Sequence, residues 1–281
     1  MRAVVLDEER LPALADVPEP SGPGELVTVL ACGLCGSDVE KIGLAAPGTV
    51  LGHEVAAELA DGRRVALVHH LPCGECDRCR AGHESTCEQF GAATIDPGGF
   101  AERVRTGGWV ELPNGMSPAL GTYAEPLACV LRGAERVPRG EVLVLGGGFI
   151  GLLFASVLRQ RGDTIYLRDA DRARSGPEPP GAVPAVVVCA AGAGQDALEA
   201  VAPGGTVVVF ADPGPLDLGA VYRQEITVTS SRSATPRHLE EALGVLPLLE
   251  LPEPSVWPLE EFQSGLNAYV SGAVPKVVFR P

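Results

Sequence analysis

Side chains that could bind a metal are concentrated early in the chain, between residues 32 and 54. The sequence from Cys32 to Asp38 is Cys-Gly-Leu-Cys-Gly-Ser-Asp, and the sequence from Gly52 to Glu54 is Gly-His-Glu. A thiol, an imidazole and carboxylates are the ligands of a catalytic zinc site, which keeps one coordination position open for water or substrate. Glycines allow the backbone to turn tightly around such an ion. This stretch therefore predicts an open zinc site.

A second metal site is indicated by four cysteines with the spacing C-x2-C-x2-C-x7-C, namely Cys73, Cys76, Cys79 and Cys87. Four thiolates form a closed tetrahedral zinc site, and gaps of two residues let one loop wrap the ion. A closed site binds no substrate, so its predicted role is to hold together a lobe at residues 70–90 that lacks a core of its own. An iron–sulfur cluster and a fortuitous grouping of cysteines are the alternatives.

A glycine-rich turn has the sequence context of a dinucleotide-binding site. It follows an apolar strand predicted at Val142–Leu145 and opens a helix predicted at Gly151–Arg161. Glycines let the backbone approach a pyrophosphate, which free N–H groups at the helix N-terminus attract. The alternative is an ordinary turn between a strand and a helix. The residues predicted to bind the cofactor here are Gly146, Gly148, Phe149, Ile150 and Gly151.

An acidic residue, Asp169, ends the next predicted strand. A carboxylate at this point is expected to bind the adenosine ribose hydroxyls and to repel a 2′-phosphate, so NAD is the predicted cofactor. Three arginines, Arg168, Arg172 and Arg174, lie close enough in sequence to weaken that preference, and NADP therefore stays possible.

The elements that must position these residues are of two kinds. The first third of the chain shows strand patterns at Ala3–Leu6 and Leu26–Leu30, and a hairpin of Val55–Leu59 with Arg64–Val68 turning at Asp61-Gly62. From Glu141 onward, buried apolar strands alternate with helices, as in a parallel sheet. We therefore expect a fold of class α/β plus β.

Composition limits the classes of function. A length of 281 residues, with 46% hydrophobic and 21% charged residues, suits one large or two ordinary globular domains. The net charge of −14 argues against nucleic acid, including a zinc-ribbon binding mode, and against an anionic membrane as partners. Neither a membrane span nor a signal peptide is indicated, so clustered thiols predict a reducing, cytoplasmic location.

Together these motifs resemble one family, the zinc-dependent medium-chain dehydrogenases, which include alcohol, sorbitol and threonine dehydrogenases. The resemblance implies a GroES-like catalytic domain made of residues 1–121 and 249–281, and a Rossmann NAD(P)-binding domain at residues 122–248. It also implies a homodimer or homotetramer. The motifs occur in the family order, span nearly the whole chain, and are Cys35-Gly36-Ser37-Asp38, Gly52-His53-Glu54, the four-cysteine lobe, Glu125-Pro126-Leu127, Gly146–Gly151 and Pro275-Lys276-Val277-Val278.

The resemblance assigns metal ligands. Cys35 and His53 match the ligands of the catalytic zinc, and either Glu54 or Glu125 supplies the third. Asp38 matches the group that orients the ligand imidazole and raises its basicity.

The resemblance also assigns residues to proton transfer and to the cofactor. Ser37 matches the hydroxyl that relays the substrate proton, and Glu40 stands where many members carry a histidine in that relay, so the pH optimum should differ. Lys276 is expected to contact the cofactor phosphates, and Arg232 to reach the substrate or the nicotinamide.

The implied reaction is hydride transfer between an alcohol or polyol, or the matching ketone or aldehyde, and NAD(P), with zinc as Lewis acid. Glu125-Pro126-Leu127 favours the sorbitol and threonine branch, and hence a small hydroxylated substrate. A zinc-free quinone-type reductase is one alternative, against which Cys35, His53 and Glu54 together argue. A non-catalytic or altered-cofactor binding protein is another.

The chain departs from the family in one domain. Between Asp169 and the strand predicted at Val186, relatives place a helix, a strand and a further helix, and too few residues are present here for such a unit. We therefore expect a shortened Rossmann sheet that lacks a strand, with a more open adenine pocket. The segment between Glu54 and Cys73 is also short, which predicts a short hairpin.

Overall fold

The structure, a computed structural model, describes residues 1–90 and 94–281. It divides into two compact units. Unit 1 consists of Met1–Ala128, Ala234–Pro247 and Pro252–Pro281, and unit 2 consists of Cys129–Ser233 and Leu248–Leu251. This division differs from the predicted domains, because the first boundary falls later than residue 121 and residues 234–247 belong to unit 1.

The regular elements alternate along the chain as follows. The strands are β1 (Arg2–Leu6), β2 (Pro12–Asp16), β3 (Glu25–Gly33), β4 (Glu54–Glu58), β5 (Arg64–Leu67), β6 (Ile95–Asp96), β7 (Arg103–Thr106), β8 (Trp109–Glu111), β9 (Glu141–Leu145), β10 (Thr164–Arg168), β11 (Val183–Val188), β12 (Val201–Val209), β13 (Thr227–Ser230), β14 (Ser255–Pro258) and β15 (Val277–Arg280). The α-helices are α1 (Gly36–Lys41), α2 (Asp77–Arg80), α3 (Pro118–Gly121), α4 (Ala124–Ala134), α5 (Phe149–Gln160), α6 (Gly194–Ala200), α7 (Leu218–Arg223), α8 (Pro236–Val245) and α9 (Phe262–Val270). Short 3-10 helices occupy Glu84–Thr86, Arg172–Arg174, Leu246–Leu248 and Leu259–Glu261.

Unit 1 is built around strand β3. This strand pairs antiparallel with β4, β7 and β15, and β4 continues through β5 to β8. The predicted hairpin is confirmed, since Glu58 pairs with Arg64 and Gly62 takes a positive φ in the turn. Apolar side chains from these strands and from α9 form one buried cluster, which includes Cys32. The pairing of β3 with β4 sets the register of the predicted zinc ligands.

The sequence of residues 116–136 predicts one helical run with Pro126 near its middle, but the structure forms two helices there, α3 and α4. Ser117 caps α3, because its hydroxyl accepts a hydrogen bond from the N–H of Leu120 at 3.2 Å. Pro126 lies in the first turn of α4, where a missing N–H leaves no intrahelical hydrogen bond unmade. The proline that interrupts the sequence pattern is therefore compatible with the start of a new helix.

Unit 2 contains a parallel sheet of five strands in the order β10-β9-β11-β12-β13. The central strands β9 and β11 are apolar and buried along most of their length, as expected for strands inside a parallel sheet. The order is that of a Rossmann sheet without the outermost strand next to β10. The predicted loss of one strand is confirmed. In the described ranges, no helix has the length and apolar character needed to cross a bilayer.

Candidate metal and cofactor sites

Strand pairing brings three candidate zinc ligands together in unit 1. Cys35 follows β3 and caps α1, whereas His53 and Glu54 lie at the start of β4, where Glu54 is opposite Gly33. The ligand atoms of Cys35, His53 and Glu54 all lie within 4.8 Å of one another. Cys35 is partly exposed, and the other two are buried. One thiol, one imidazole and one carboxylate are a donor set that fits an open zinc site.

Asp38 is fixed where it can orient His53. One carboxylate oxygen accepts the N–H of Cys35 at 3.1 Å, and the other accepts the N–H of Gly52 at 3.2 Å and lies 3.3 Å from Nδ1 of His53. Burial opposes the charged imidazole, but the Asp38 carboxylate outweighs it and raises the pKa of His53 well above its ordinary value. Burial likewise opposes the carboxylate, but His53 and the two backbone donors lower the pKa of Asp38.

Two observations show why residue 52 must be a glycine. Its φ is +95°, a conformation that costs little only for glycine. A Cβ atom there would lie 2.8 Å from the sulfur of Cys32 and 3.0 Å from the backbone nitrogen of Phe100. The residue before the ligand histidine therefore lets the backbone pass close to the core and give its N–H to Asp38.

Glu54 forms a buried ion pair with Lys276. The Lys276 ammonium also donates to the carbonyl of Leu34 at 3.0 Å, and the side chains of Glu54 and Lys276 are 1% and 2% exposed. Burial opposes the ammonium, but the Glu54 carboxylate and the Cys35 thiol hold the pKa of Lys276 above its ordinary value. Lys276 was expected at the cofactor phosphates. In the structure Lys276 instead forms its ion pair with Glu54. Lys276 is the last residue before β15, and β15 pairs with β3.

Glu125 is carried by a different element from the three grouped ligands. It stands in the first turn of α4 and is partly exposed. Its carboxylate is not part of the group of ligand atoms found within the described residues, although its charge contributes to the raised pKa of His53. Of the two candidates for third ligand, Glu54 is the one that lies with Cys35 and His53.

Ser37 and Glu40 lie on the same short helix, α1. Ser37 is partly buried in the first turn, and Glu40 is exposed three residues later. Side chains three apart on a helix are neighbours. Helix α1 therefore carries a partly buried hydroxyl in its first turn and an exposed carboxylate in the next.

The four cysteines of the lobe converge. Their sulfur atoms lie within 4.8 Å of one another. Backbone N–H groups point at them, since Cys73 donates to the sulfur of Cys87 at 3.4 Å and Cys76 donates to the sulfur of Cys73 at 3.4 Å. Hydrogen bonds from the backbone at Glu88 and Cys79 lower the pKa of Cys76 to about 6. Free thiols arranged in this way fit a closed zinc site.

Two histidines beside His53 were missed in the sequence. The ring of His69 lies 4.5 Å from that of His53, the ring of His70 lies 4.0 Å from that of His69, and the ring of Phe90 lies 3.8 Å from that of His70, each distance between centroids. We call His53, His69, His70 and Phe90 the imidazole stack. Burial and the neighbouring His53 lower the pKa of His69 to about 2, so its ring is neutral. Adjacent histidines directly after β5 were the available signal.

Tyr269 is a further residue near the site that the sequence did not indicate. A Cβ on Gly36 would lie 3.8 Å from its hydroxyl, which places Tyr269 of α9 beside the loop that carries Cys35. Burial raises the pKa of Tyr269 to about 12.

The glycine-rich turn of unit 2 combines one close contact with one open position. A Cβ on Gly151 would lie 1.8 Å from the carbonyl oxygen of Gly146, so this contact between α5 and the turn after β9 requires glycine. A Cβ on Gly148 would meet no described atom within 4 Å. Gly148 precedes α5, whose first residues are Phe149 and Ile150. An open glycine at the N-terminus of a twelve-residue helix fits a bound pyrophosphate.

Asp169 faces this turn but is already hydrogen-bonded. Its carboxylate accepts the N–H of Gly147 at 2.6 Å and the N–H of Asp171 at 2.8 Å, and it pairs with Arg174 at 3.0 Å. Burial opposes its charge, but these donors lower the pKa of Asp169. Arg174 also packs on the turn, since a Cβ on Gly147 would lie 2.5 Å from its carbonyl oxygen.

Arg168 and Arg232, also named as candidates near the cofactor, have different surroundings. Arg168 forms an exposed ion pair with Glu178 at 2.6 Å. Arg232 follows β13 with an exposed side chain, and its carbonyl accepts a hydrogen bond from Arg132 at 2.7 Å.

Comparison with known proteins shows that parts of this chain are similar to dehydrogenases. Residues 22–113 match the alcohol dehydrogenase GroES-like domain. The chain is 34% identical over 200 residues to D-altritol 5-dehydrogenase of Agrobacterium fabrum strain C58, covering 62% of this chain and 60% of that protein. It is 29% identical over 178 residues to L-galactonate-5-dehydrogenase of Escherichia coli strain K12, covering 57% and 52%. The chain therefore spans about half to three fifths of the length of these curated relatives.

Among solved structures, similarity extends over the whole chain. A protein of Sinorhizobium meliloti 1021, provisionally described as a zinc-binding dehydrogenase and bound to NADP, superposes with a TM-score of 0.85 at 26% identity. The match covers 100% of this chain and 99% of that one.

Proposed function

Because this chain belongs to the zinc-dependent medium-chain dehydrogenases, we propose that it is an NAD(P)-dependent oxidoreductase that interconverts an alcohol or polyol and the matching ketone or aldehyde. The observation that carries the proposal is the meeting of Cys35, His53 and Glu54, whose ligand atoms lie within 4.8 Å of one another. The names of the altritol and galactonate relatives support a polyol or sugar-derived substrate.

The residues of the chain have distinct proposed tasks. Cys35, His53 and Glu54 would hold a zinc ion, and Asp38 would keep His53 oriented through the contact at 3.3 Å. When bound, zinc would supply Lewis-acid assistance to removal of the substrate hydroxyl proton, and NAD(P) would supply the hydride acceptor. Ser37 would take up that proton.

Glu40 is the proposed next acceptor in the relay. It is exposed on the same helix as Ser37, three residues later, and so can exchange protons with water. Because Glu40 stands where many members of the family carry a histidine in the relay, the pH optimum should differ from theirs.

The glycine-rich turn and Asp169 would bind the cofactor, with NAD preferred and NADP possible. Arg168, Arg232 and the N-terminus of α5 remain proposed cofactor contacts. Cys73, Cys76, Cys79 and Cys87 would hold a structural zinc. Such free thiols require a reducing compartment, so we place the protein in the cytoplasm, as a homodimer or homotetramer like members of the family it resembles.

A panel of alcohols, polyols and amino alcohols, assayed for reduction of NAD and NADP, tests this function. We expect turnover of a small polyol and about two zinc ions per chain by metal analysis. Cys35→Ser should abolish turnover and keep the fold, whereas Cys76→Ser should unfold the lobe. Full activity in Cys35→Ser would refute the catalytic zinc.

One observation favours a second candidate, a binding protein with altered or lost cofactor affinity. Gly147 and Asp169 are bonded to each other, and Arg174 packs on the turn that a dinucleotide would approach. Calorimetry with NAD and NADP separates the two functions. Absence of affinity for both cofactors would reject the dehydrogenase and support the second candidate.

A further inference from the structure

His53 is held differently in the plane of its ring and on its face. In the plane, Nδ1 lies 3.3 Å from the Asp38 carboxylate. A ring held only by contacts in its plane can still tilt about the axis through them, unless a neighbour packs against its face. The ring of His69 is that neighbour, at 4.5 Å between centroids and 31° between planes. The orientation of this candidate ligand therefore depends on His69 as well as on Asp38.

The backbone on either side of His69 is fixed by hydrogen bonds. The carbonyl of His69 accepts the hydroxyl of Thr94, and the N–H of Val68 donates to the carbonyl of Gly108 at 2.9 Å. These two hydrogen bonds hold the backbone at His69 beside the end of β5, and this backbone fixes the position of the His69 ring.

At its far end, the imidazole stack reaches the cysteine lobe. The Phe90 ring stacks on His70 at 27° between planes, and the backbone N–H of Phe90 donates to the carbonyl of Cys87 at 2.9 Å. Cys87 is the last of the four clustered thiols. Four rings in contact therefore join the candidate catalytic ligand His53 to the candidate structural site.

We propose that His69 is a positioning residue for His53, because the face of its ring fixes the orientation of this candidate zinc ligand. The inference rests on the proposed function in taking Cys35, His53 and Glu54 as a zinc site. The flat face of His69 is the active feature, because neither ring nitrogen has a hydrogen-bond partner among residues 1–90 and 94–281.

Two substitutions in the full-length protein distinguish the effect of the flat His69 ring from the effect of its two ring nitrogens. His69→Phe keeps a planar ring without nitrogen, and His69→Leu keeps apolar bulk without a plane. Zinc release to a chromogenic chelator measures affinity at each site, and replacement by Co²⁺ gives a visible spectrum that reports ligand geometry. His83→Ala is the matched control, since His83 is an exposed histidine of the same lobe.

We expect His69→Leu to release the catalytic zinc about tenfold more readily and to shift the cobalt spectrum, with the lobe zinc retained. His69→Phe and His83→Ala should match the unmodified protein. Unchanged affinity and spectrum in His69→Leu would overturn the proposal, as would a His69→Phe variant as weak as His69→Leu. Loss of the lobe zinc in His69→Leu would also overturn it, because His69 would then hold the lobe.

These measurements need no turnover. A chain that reduces no cofactor but shows the expected cobalt shift would refute the proposed function and leave the positioning role of His69 standing.

Discussion

The ammonium of Lys276 and the carboxylate of Glu54 form an ion pair closed to solvent, although 222 positions separate them in sequence. Glu54 is also one of three groups that converge as a candidate metal site. The same carboxylate thus has a fixed cation on one side and candidate metal ligands on the other. Stability and metal binding are therefore linked through Glu54.

Removal of Lys276 should destabilise the protein strongly. Lys276→Met leaves the buried Glu54 without its cation, which costs about 3–5 kcal/mol of unfolding free energy. Urea denaturation measures this. The matched control is Lys41→Met, at an exposed lysine, which should change stability by less than about 0.5 kcal/mol. The double variant Glu54→Gln with Lys276→Met should be more stable than Lys276→Met alone, and a double variant no more stable would contradict the ion pair.

Zinc affinity should change with pH through His53. The pKa of His53 is raised above 6.5 in the metal-free fold, so protonated His53 stabilises that fold below pH 6.5, and this stabilisation is lost as pH rises through the folded pKa. Zinc requires the neutral ring, so its affinity should rise over the same interval.

The variant Asp38→Asn tests whether protonation of His53 causes this pH dependence of zinc affinity. Because the Asp38 charge raises the pKa of His53, the variant should gain zinc affinity at a lower pH, while its affinity at high pH falls about tenfold or more. Chelator competition over a range of pH measures both effects, with Asp171→Asn as the control in unit 2. A variant with the same midpoint as the unmodified protein would show that Asp38 does not set it.

Cofactor choice should depend on Asp169 and Arg174. Asp169→Ser removes the carboxylate that would repel a 2′-phosphate, so kcat/KM for NADP relative to NAD should rise about tenfold, and Arg174→Ala should lower that ratio by about the same factor. Steady-state kinetics with both cofactors measures the ratios. Arg172→Ala is the control, since Arg172 forms no ion pair with Asp169 in the part of the chain that the structure describes. An unchanged ratio of kcat/KM for NADP to that for NAD in Asp169→Ser would show that this carboxylate does not contact the adenosine ribose.

The sequence predicted the features that have a local signature. The hairpin turning at Asp61-Gly62 and the buried strands of the second half follow from turn residues and periodicity. The missing sheet strand follows from the length of one segment compared with the family that the chain resembles. Helix α1 was not foreseen, because six residues are too few to show a helical period. The start of α4 was not foreseen either, because Pro126 interrupts the helical pattern in the sequence.

The contacts of individual side chains were less predictable. A lysine near the end of the chain can satisfy many different carboxylates, and nothing in its neighbours indicates that Lys276 is buried against Glu54. The stacking of His69 on His53 likewise depends on where the end of β5 lies beside β4. Such contacts arise from tertiary packing, which leaves no repeating pattern in the sequence.

The discontinuous composition of unit 1 has a consequence for biosynthesis. Strands β3 and β4 are translated early, but β15 and Lys276 are translated after all of unit 2. Until then, a nascent chain carries Glu54 without the cation that it meets in the finished fold, and burial of this carboxylate is unfavourable. The pair of Glu54 and Lys276 can therefore form only after all of unit 2 has been synthesised, and unit 2 can fold before it.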